Sequence, residues 1–108
     1  MELKIYWTDF SKTELRKIFS YYKDNASLSI AKKLVLEIEN KTTILKTHPN
    51  IGQREELLKE REQEFRYLVF KNYKIIYWIN NKKNWIEISD IFDTRQNPIK
   101  MQKLDKHS

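Results

Sequence analysis

The side chains of this sequence best suited to chemistry are basic residues concentrated in its last third. Between positions 65 and 103 eight lysines and arginines stand against three carboxylates, Glu87, Asp90 and Asp93. Arginine and lysine bind phosphate groups and stabilise the negative charge that develops when a phosphodiester is cleaved. This excess of positive charge predicts a polyanionic partner. The eight cations are Arg66, Lys71, Lys74, Lys82, Lys83, Arg95, Lys100 and Lys103.

Three β-rich runs between residues 65 and 98 must position these cations. Aromatic and β-branched residues fill the runs, and Lys71-Asn72 and the Asn80–Lys83 cluster between them have turn chemistry. In the central run Tyr73, Ile75, Tyr77 and Ile79 alternate with Lys74, Ile76 and Trp78, as in a strand with two different faces.

The first half of the chain predicts one short strand and two helices. Residues 3–7 alternate as in a strand, and Thr8 or Ser11 then offers a cap for a first helix. Ser27 can cap a second helix after Lys23-Asp24-Asn25 ends the first. Each helix has apolar residues at helical spacing, which gives it one apolar face. These residues are Leu15, Ile18, Phe19 and Tyr22 in the first helix, and Ala31, Leu34, Val35, Ile38 and Leu45 in the second.

The order of elements predicts an α+β fold, β-α-α-β-β-β, with an antiparallel sheet packed against an N-terminal helical hairpin. Residues 53–64 form a charged bridge, predicted to be a loop or a short solvated helix. We expect one domain over residues 1–98 and a basic C-terminal tail over residues 99–108.

Composition excludes several classes of function. The 108 residues carry a net charge of +6 and include no cysteine, so disulfides and thiol catalysis are absent. His48 and His107 lack the spacing of metal ligands, and Gly52 is the only glycine, so neither a metal site nor a phosphate-binding loop is expected. We expect no cofactor. With no signal peptide or membrane-spanning run in the sequence, we expect a cytoplasmic protein.

Five short segments stand in a recognisable order between residues 3 and 100. They are Trp7-Thr8, residues 48–52 (HPNIG), Phe65-Arg66, residues 73–77 (YKIIY) and residues 93–98 (DTRQNP). This ordered set resembles the RelE/ParE superfamily, the toxin halves of bacterial type II toxin–antitoxin pairs, also known as plasmid stabilisation proteins. Lys74 stands where the family usually has arginine, which is a conservative departure.

This resemblance implies growth inhibition that a cognate antitoxin holds in check. RelE-like members cut mRNA in the ribosome without a metal, whereas ParE-like members poison DNA gyrase. For a RelE-like nuclease the resemblance implies catalytic roles for Arg66, Lys74 and Arg95. Asp93 stands where several relatives have histidine, and it would need a raised pKa to act as a base. RelE-like relatives also have a tyrosine or histidine near the C-terminus, and no tyrosine follows Tyr77 here.

Each of these residues also has an ordinary structural interpretation. Arg66 can pair with Glu64 or Glu87, Lys74 can be a solvated strand residue, and Asp93 can pair with Arg95 or cap a turn. Aromatic residues at strand spacing are usually core, which we expect for Tyr73, Tyr77 and Trp78 but not for Trp85. The remaining candidates for target binding are Lys71, Lys82, Lys83, Trp85, Lys100 and Lys103.

Because the usual acid or base is missing, we favour a toxin that inhibits DNA gyrase over a ribosome-dependent mRNA endonuclease. A generic basic nucleic-acid-binding domain is a third interpretation, and the +6 charge is compatible with it. The expected partners are an antitoxin and either gyrase or a ribosome with mRNA, with no membrane. The sequence leaves the oligomeric state open.

Overall fold

The structure, a computed structural model, describes residues 2–103. Strand β1 (Lys4–Trp7) is followed by helix α1 (Asp9–Asn25) and helix α2 (Leu28–Lys41), and a 3₁₀ helix (Thr42–Lys46) begins directly after α2. Strands β2 (Gln53–Arg54), β3 (Arg66–Phe70), β4 (Tyr73–Asn80) and β5 (Trp85–Asp93) come next. Two further 3₁₀ helices span Glu56–Leu58 and Pro98–Lys103.

Side-chain caps fix where the two helices begin. The Thr8 hydroxyl accepts a hydrogen bond from the Ser11 N–H at 3.1 Å, and the Ser11 hydroxyl donates to the Thr8 carbonyl at 2.9 Å. Of the two predicted caps for α1, Thr8 is therefore the one used. Ser27 caps α2 as predicted, accepting from the Ile30 N–H at 3.1 Å.

The predicted α+β fold with an N-terminal helical hairpin is confirmed. The five strands lie in the order β1-β5-β4-β3-β2. The pairs β2–β3, β3–β4 and β4–β5 are antiparallel. One pairing differs from the expected antiparallel sheet, because β1 runs parallel to β5. No turn links these two strands, so the turn residues that predict antiparallel pairing elsewhere do not constrain them.

A β-bulge adjusts which residues of β5 face the helices. Ile76 pairs with Asp90 while Tyr77 pairs with Ile88, so Ser89 has no partner in the register. Because the extra residue shifts the alternation by one, Ile86 and Ile88 on one side of the bulge and Ile91 on the other all join the same core.

Two hydrophobic clusters lie on opposite faces of the sheet. On the helix face, Ile18, Leu34 and Ile38 pack against Ile75 and Tyr77. The other side, which we call the far face, carries a smaller cluster. Its buried members are Leu58, Phe65, Ile76, Phe92 and Met101.

Two segments that were expected to be solvated, the charged bridge and the C-terminal tail, each supply a buried side chain to the far-face cluster. In the charged bridge Leu58 is 1% exposed, and Glu55 is also buried. In the expected tail Met101 is 1% exposed, and the Gln102 side chain donates to the Leu57 carbonyl at 2.9 Å. Both segments supply one apolar side chain to cover the sheet, so the packed structure extends past residue 98. Residues 104–108 lie outside the described range.

No helix within residues 2–103 has the length and apolar character needed to cross a membrane.

Candidate functional site

Arg66 lies at the start of β3, opposite Tyr77 in the sheet register. Its guanidinium donates to the Gly52 carbonyl at 2.8 Å and to the Asn50 carbonyl at 3.3 Å, and it pairs with Glu64 at 2.9 Å. The side chain is only 18% exposed. Of the two predicted partners, Glu64 is therefore the one used, and Arg66 fastens the loop at residues 49–52 to the sheet.

Lys74 lies on β4 and projects to the far face. Its Nζ is 2.8 Å from the Glu55 carboxylate and 4.2 Å from the centre of the Tyr67 ring. The Glu55 side chain is 3% exposed, so the pair is largely removed from water. Lys74 is thus not the solvated strand residue that its position allowed, because the bridge folds a carboxylate onto it.

Arg95 lies just beyond β5 and pairs with Asp93. The guanidinium contacts both carboxylate oxygens, at 3.1 and 2.9 Å, and the Arg95 backbone N–H donates to the same carboxylate at 2.9 Å. Asn72 adds a fourth hydrogen bond at 3.1 Å. The Arg95 side chain is 62% exposed, so it is the most accessible of the three predicted catalytic cations.

The hydrogen bond from Arg95 lowers the pKa of Asp93 below its usual range, and the backbone N–H of Arg95 and the Asn72 amide act in the same direction. The same contact raises the pKa of Arg95. A general base at Asp93 requires the opposite shift, since a carboxylate with a lowered pKa binds a proton more weakly. The structure therefore supports the interpretation in which Asp93 pairs with Arg95.

The structure does not bring Arg66, Lys74 and Arg95 together. Residues paired across antiparallel strands share a face, so Arg66 lies with Tyr77 on the helix face while Lys74 lies on the far face. Asp93, the partner of Arg95, pairs with Tyr73. Tyr73 and Tyr77 are four residues apart on β4, so Arg66 and Asp93 lie about 13 Å apart along the strand direction.

The predicted target-binding lysines are distributed over the turns at the sheet ends. Lys71 adopts a positive φ of 54° in the β3–β4 turn, with its Nζ 5.5 Å from the centre of the Phe70 ring. Lys82 and Lys83 are exposed in the β4–β5 turn, and Lys100 is exposed in the last 3₁₀ helix. The side chain of Lys103 lies outside what the structure describes.

Trp85 was expected to be exposed, but it is half-buried. Its ring stacks on Tyr6 with the centroids 4.5 Å apart, and its indole N–H donates to Glu87 at 3.1 Å. The expected core positions Tyr73 and Tyr77 are buried, whereas Trp78 is half-buried.

Two carboxylates that organise the far face, Glu55 and Glu87, were not among the predicted functional residues. Both are almost fully buried. Glu55 lies in a run of glutamates with nothing to distinguish it, so the sequence carried no signal. Glu87 had a weak signal, because it is the one charged residue among apolar ones at the start of β5.

A family model described as the ParE toxin of the type II toxin–antitoxin system, parDE, matches residues 5–98. The chain belongs to this family of ParE toxins. No curated protein sequence matches it.

The fold of this ParE-family chain is also found among solved structures. It is similar to a chain of the chromosomal ParDE toxin–antitoxin system from P. aeruginosa, with a TM-score of 0.70 and 19% sequence identity. The match covers 85% of this chain and 96% of that one. As a ParE-family toxin, the chain has a cognate antitoxin as its expected partner.

The candidate site residues of this ParE-family chain are charged side chains that pair within the chain. Within residues 2–103 no group of three or more histidine, aspartate or glutamate side chains could hold a metal ion. Arg66, Lys74 and Arg95 each contact a carboxylate of the same chain.

Proposed function

We propose that this toxin stops growth by binding and inhibiting DNA gyrase, and that it does not cut RNA. The observation that carries the proposal is the placement of Arg66, Lys74 and Arg95 at separate sites, each with its own carboxylate. Membership of the ParE family supports the same direction.

Metal-free cleavage of RNA needs several cations around one phosphate. The scissile phosphate must meet positive charge at its non-bridging oxygens while a base removes the 2′-hydroxyl proton. Arg66 and Lys74 project from opposite faces of the sheet, so one phosphate has no position from which it contacts both. This geometry speaks against a shared catalytic role.

Release of these cations from their carboxylates is also unfavourable. Glu55 is buried, so taking Lys74 away to bind a phosphate would leave an unpaired charge with little access to water. Arg66 would have to give up two backbone carbonyls as well as Glu64. Only Arg95 can reach a partner without disturbing the core, because its side chain is largely exposed.

An inhibitor that acts by binding has no need of a converging set of cations. Exposed lysines at both ends of the sheet, Lys71, Lys82, Lys83 and Lys100, raise the rate of encounter with a negatively charged complex such as gyrase on DNA. We assign these lysines, together with Arg95, to target binding. An antitoxin with acidic residues would neutralise the same charge.

Two assays on one preparation of the purified chain test the proposal. The expected result is loss of supercoiling by gyrase, with mRNA left intact in a cell-free translation reaction. Ribosome-dependent mRNA fragments, together with unimpaired gyrase, would establish the RelE-like endonuclease instead. When the toxin is first mixed with its antitoxin, gyrase should keep its supercoiling activity. This mixture is the control for specificity.

A further inference from the structure

A groove on the far face of the sheet is lined by aromatic rings around a buried carboxylate. Tyr6, Glu87 and Trp78 form one continuous row across β1, β5 and β4, since Glu87 pairs with Tyr6 on one side and with Trp78 on the other. Trp85 lies two residues before Glu87 on the same face. The groove has a volume of about 540 Å³.

Glu87 is held by neutral donors. Its carboxylate accepts hydrogen bonds from the indole N–H of Trp78 at 3.2 Å, from that of Trp85 at 3.1 Å and from the Asn80 amide at 3.4 Å. The residue is only 5% exposed. Among the side chains that the structure describes, no lysine or arginine forms a salt bridge with it.

This arrangement makes the two indoles unusually good partners for a cation. A carboxylate that accepts from an indole N–H pushes electron density into the ring, and the negative faces of aromatic rings attract positive charge. Tyr6 stacks on Trp85 and is itself 40% exposed, which extends the aromatic surface to solvent. The chain already uses this interaction on the same face, where Lys74 lies over Tyr67.

The charge of the groove is opposite to that of the whole protein. The charged residues that line it are Asp9, Glu87 and Lys83, giving two negative charges and one positive, whereas the chain carries +6. A nucleic acid would bring its phosphates towards Glu87 and Asp9, which is unfavourable. A positively charged side chain meets favourable charge and aromatic contact together.

We propose that this groove binds an arginine side chain of a protein partner. A guanidinium is planar and stacks on aromatic rings, while its N–H groups can reach Asp9 at the rim. Arginine and aromatic residues are also enriched where protein interfaces are strongest. Of the exposed lysines assigned to target binding, Lys83 also lines this groove. The arginine would bind there whether the toxin acts on gyrase or on the ribosome.

The three tryptophans provide the test, since each has one indole N–H signal in a nitrogen-15 NMR spectrum. The probe is N-acetyl-arginine methylamide, and the matched neutral control is the citrulline analogue, which has nearly the same shape. We expect the Trp78 and Trp85 signals to shift saturably, with a Kd on the order of millimolar. Trp7, which lies beside the helices and outside the groove, should not respond.

A variant pair locates the binding. Tyr6→Leu removes the ring stacked on Trp85 and should weaken the arginine probe at least about threefold. Tyr21→Leu replaces another exposed tyrosine, on α1 and outside the groove, and should leave the affinity unchanged. Equal shifts with the citrulline analogue, shifts of all three indoles, or no shift at all would overturn the proposal. Shifts of Trp78 and Trp85 with a nucleotide such as dTMP but not with the arginine probe would also overturn it and mark a surface for stacking bases.

Discussion

The hydroxyl of Tyr77 accepts a hydrogen bond from the backbone N–H of Gly52 at 2.9 Å. It also donates to the Pro49 carbonyl at 2.7 Å, and Arg66 binds the Gly52 carbonyl from the neighbouring strand. The loop that follows the helices is thereby fixed to the centre of the sheet. This contact explains why the only glycine of the sequence stands where it does. A Cβ at this position would lie 2.6 Å from the Tyr77 hydroxyl and 2.8 Å from the Tyr67 carbonyl.

Removing the Tyr77 hydroxyl tests this attachment of the loop. Tyr77→Phe leaves the Gly52 N–H and the Pro49 carbonyl without their partner, and we expect a loss of about 1–3 kcal/mol in the free energy of unfolding. Urea denaturation measures the loss. Tyr67→Phe is the matched control, because its hydroxyl donates to the exposed Gln53 side chain and its removal should cost about 0.5 kcal/mol or less.

Arg66 and Arg95 should differ in what their loss does. Arg66→Ala removes two hydrogen bonds to backbone carbonyls and a salt bridge, so we expect a destabilisation of about 1–3 kcal/mol. Arg95→Ala removes an exposed pair and should leave the free energy of unfolding nearly unchanged.

Thermal unfolding of both arginine variants, measured alongside growth inhibition, separates folding from function. A stable Arg66→Ala protein would contradict the structural role assigned to this residue. A folded Arg95→Ala protein that inhibits growth as strongly as the original chain would count against placing Arg95 on the target-binding surface.

The Lys74–Glu55 pair should show strong coupling. Lys74→Met alone leaves the buried Glu55 carboxylate without its cation, and we expect it to cost about 3 kcal/mol. In a chain that already carries Glu55→Gln, the same substitution should cost much less. A double-mutant cycle by urea denaturation measures the difference. A coupling energy near zero would show that Lys74 and Glu55 do not stabilise each other.

Asp90 should make the protein less stable as the pH rises. Burial and the nearby Glu14 raise the pKa of Asp90 from 3.8 to about 7, against smaller opposing effects of the Ile91 N–H and Lys17. Between these values the folded chain binds a proton that the unfolded chain has lost, so stability falls with rising pH and levels off above about pH 7. The expected loss from about pH 5 to pH 8 is on the order of 3 kcal/mol.

Asp90→Asn should remove most of this dependence, since the amide has no proton to lose in the same range. Denaturation midpoints at the two pH values measure it. Asp93→Asn provides the contrast, because its pKa is lowered: Asp93 contributes stability above its unfolded pKa and loses it as the pH falls through the folded pKa. A parallel decline with pH in the original chain and in Asp90→Asn would contradict the assignment.

The elements that obey local rules were predictable from the sequence. Ser27 caps α2 because a hydroxyl there satisfies a free N–H, and the alternation of β4 puts Tyr73, Ile75 and Tyr77 in the core. Contacts between residues far apart in sequence were not predictable. Neither the parallel pairing of β1 with β5 nor the burial of Met101 leaves a local signature.

The same distinction applies to the candidate site. The excess of cations was visible in the sequence, but their distribution over two faces depends on register. Arg66 and Lys74 are eight residues apart on different strands, and only the pairing of Arg66 with Tyr77 shows that they point in opposite directions. Glu55 was invisible as a partner because residues 53–64 fold onto the sheet through the pairing of β2 with β3 and the burial of Leu58, and these contacts leave no local pattern.

Inhibition of gyrase is measured by the supercoiling of relaxed plasmid by purified gyrase in the presence of the purified chain. We expect supercoiling to be lost as the toxin is added and to return when the antitoxin is supplied. Undiminished supercoiling at a toxin concentration that cuts mRNA on translating ribosomes would contradict it.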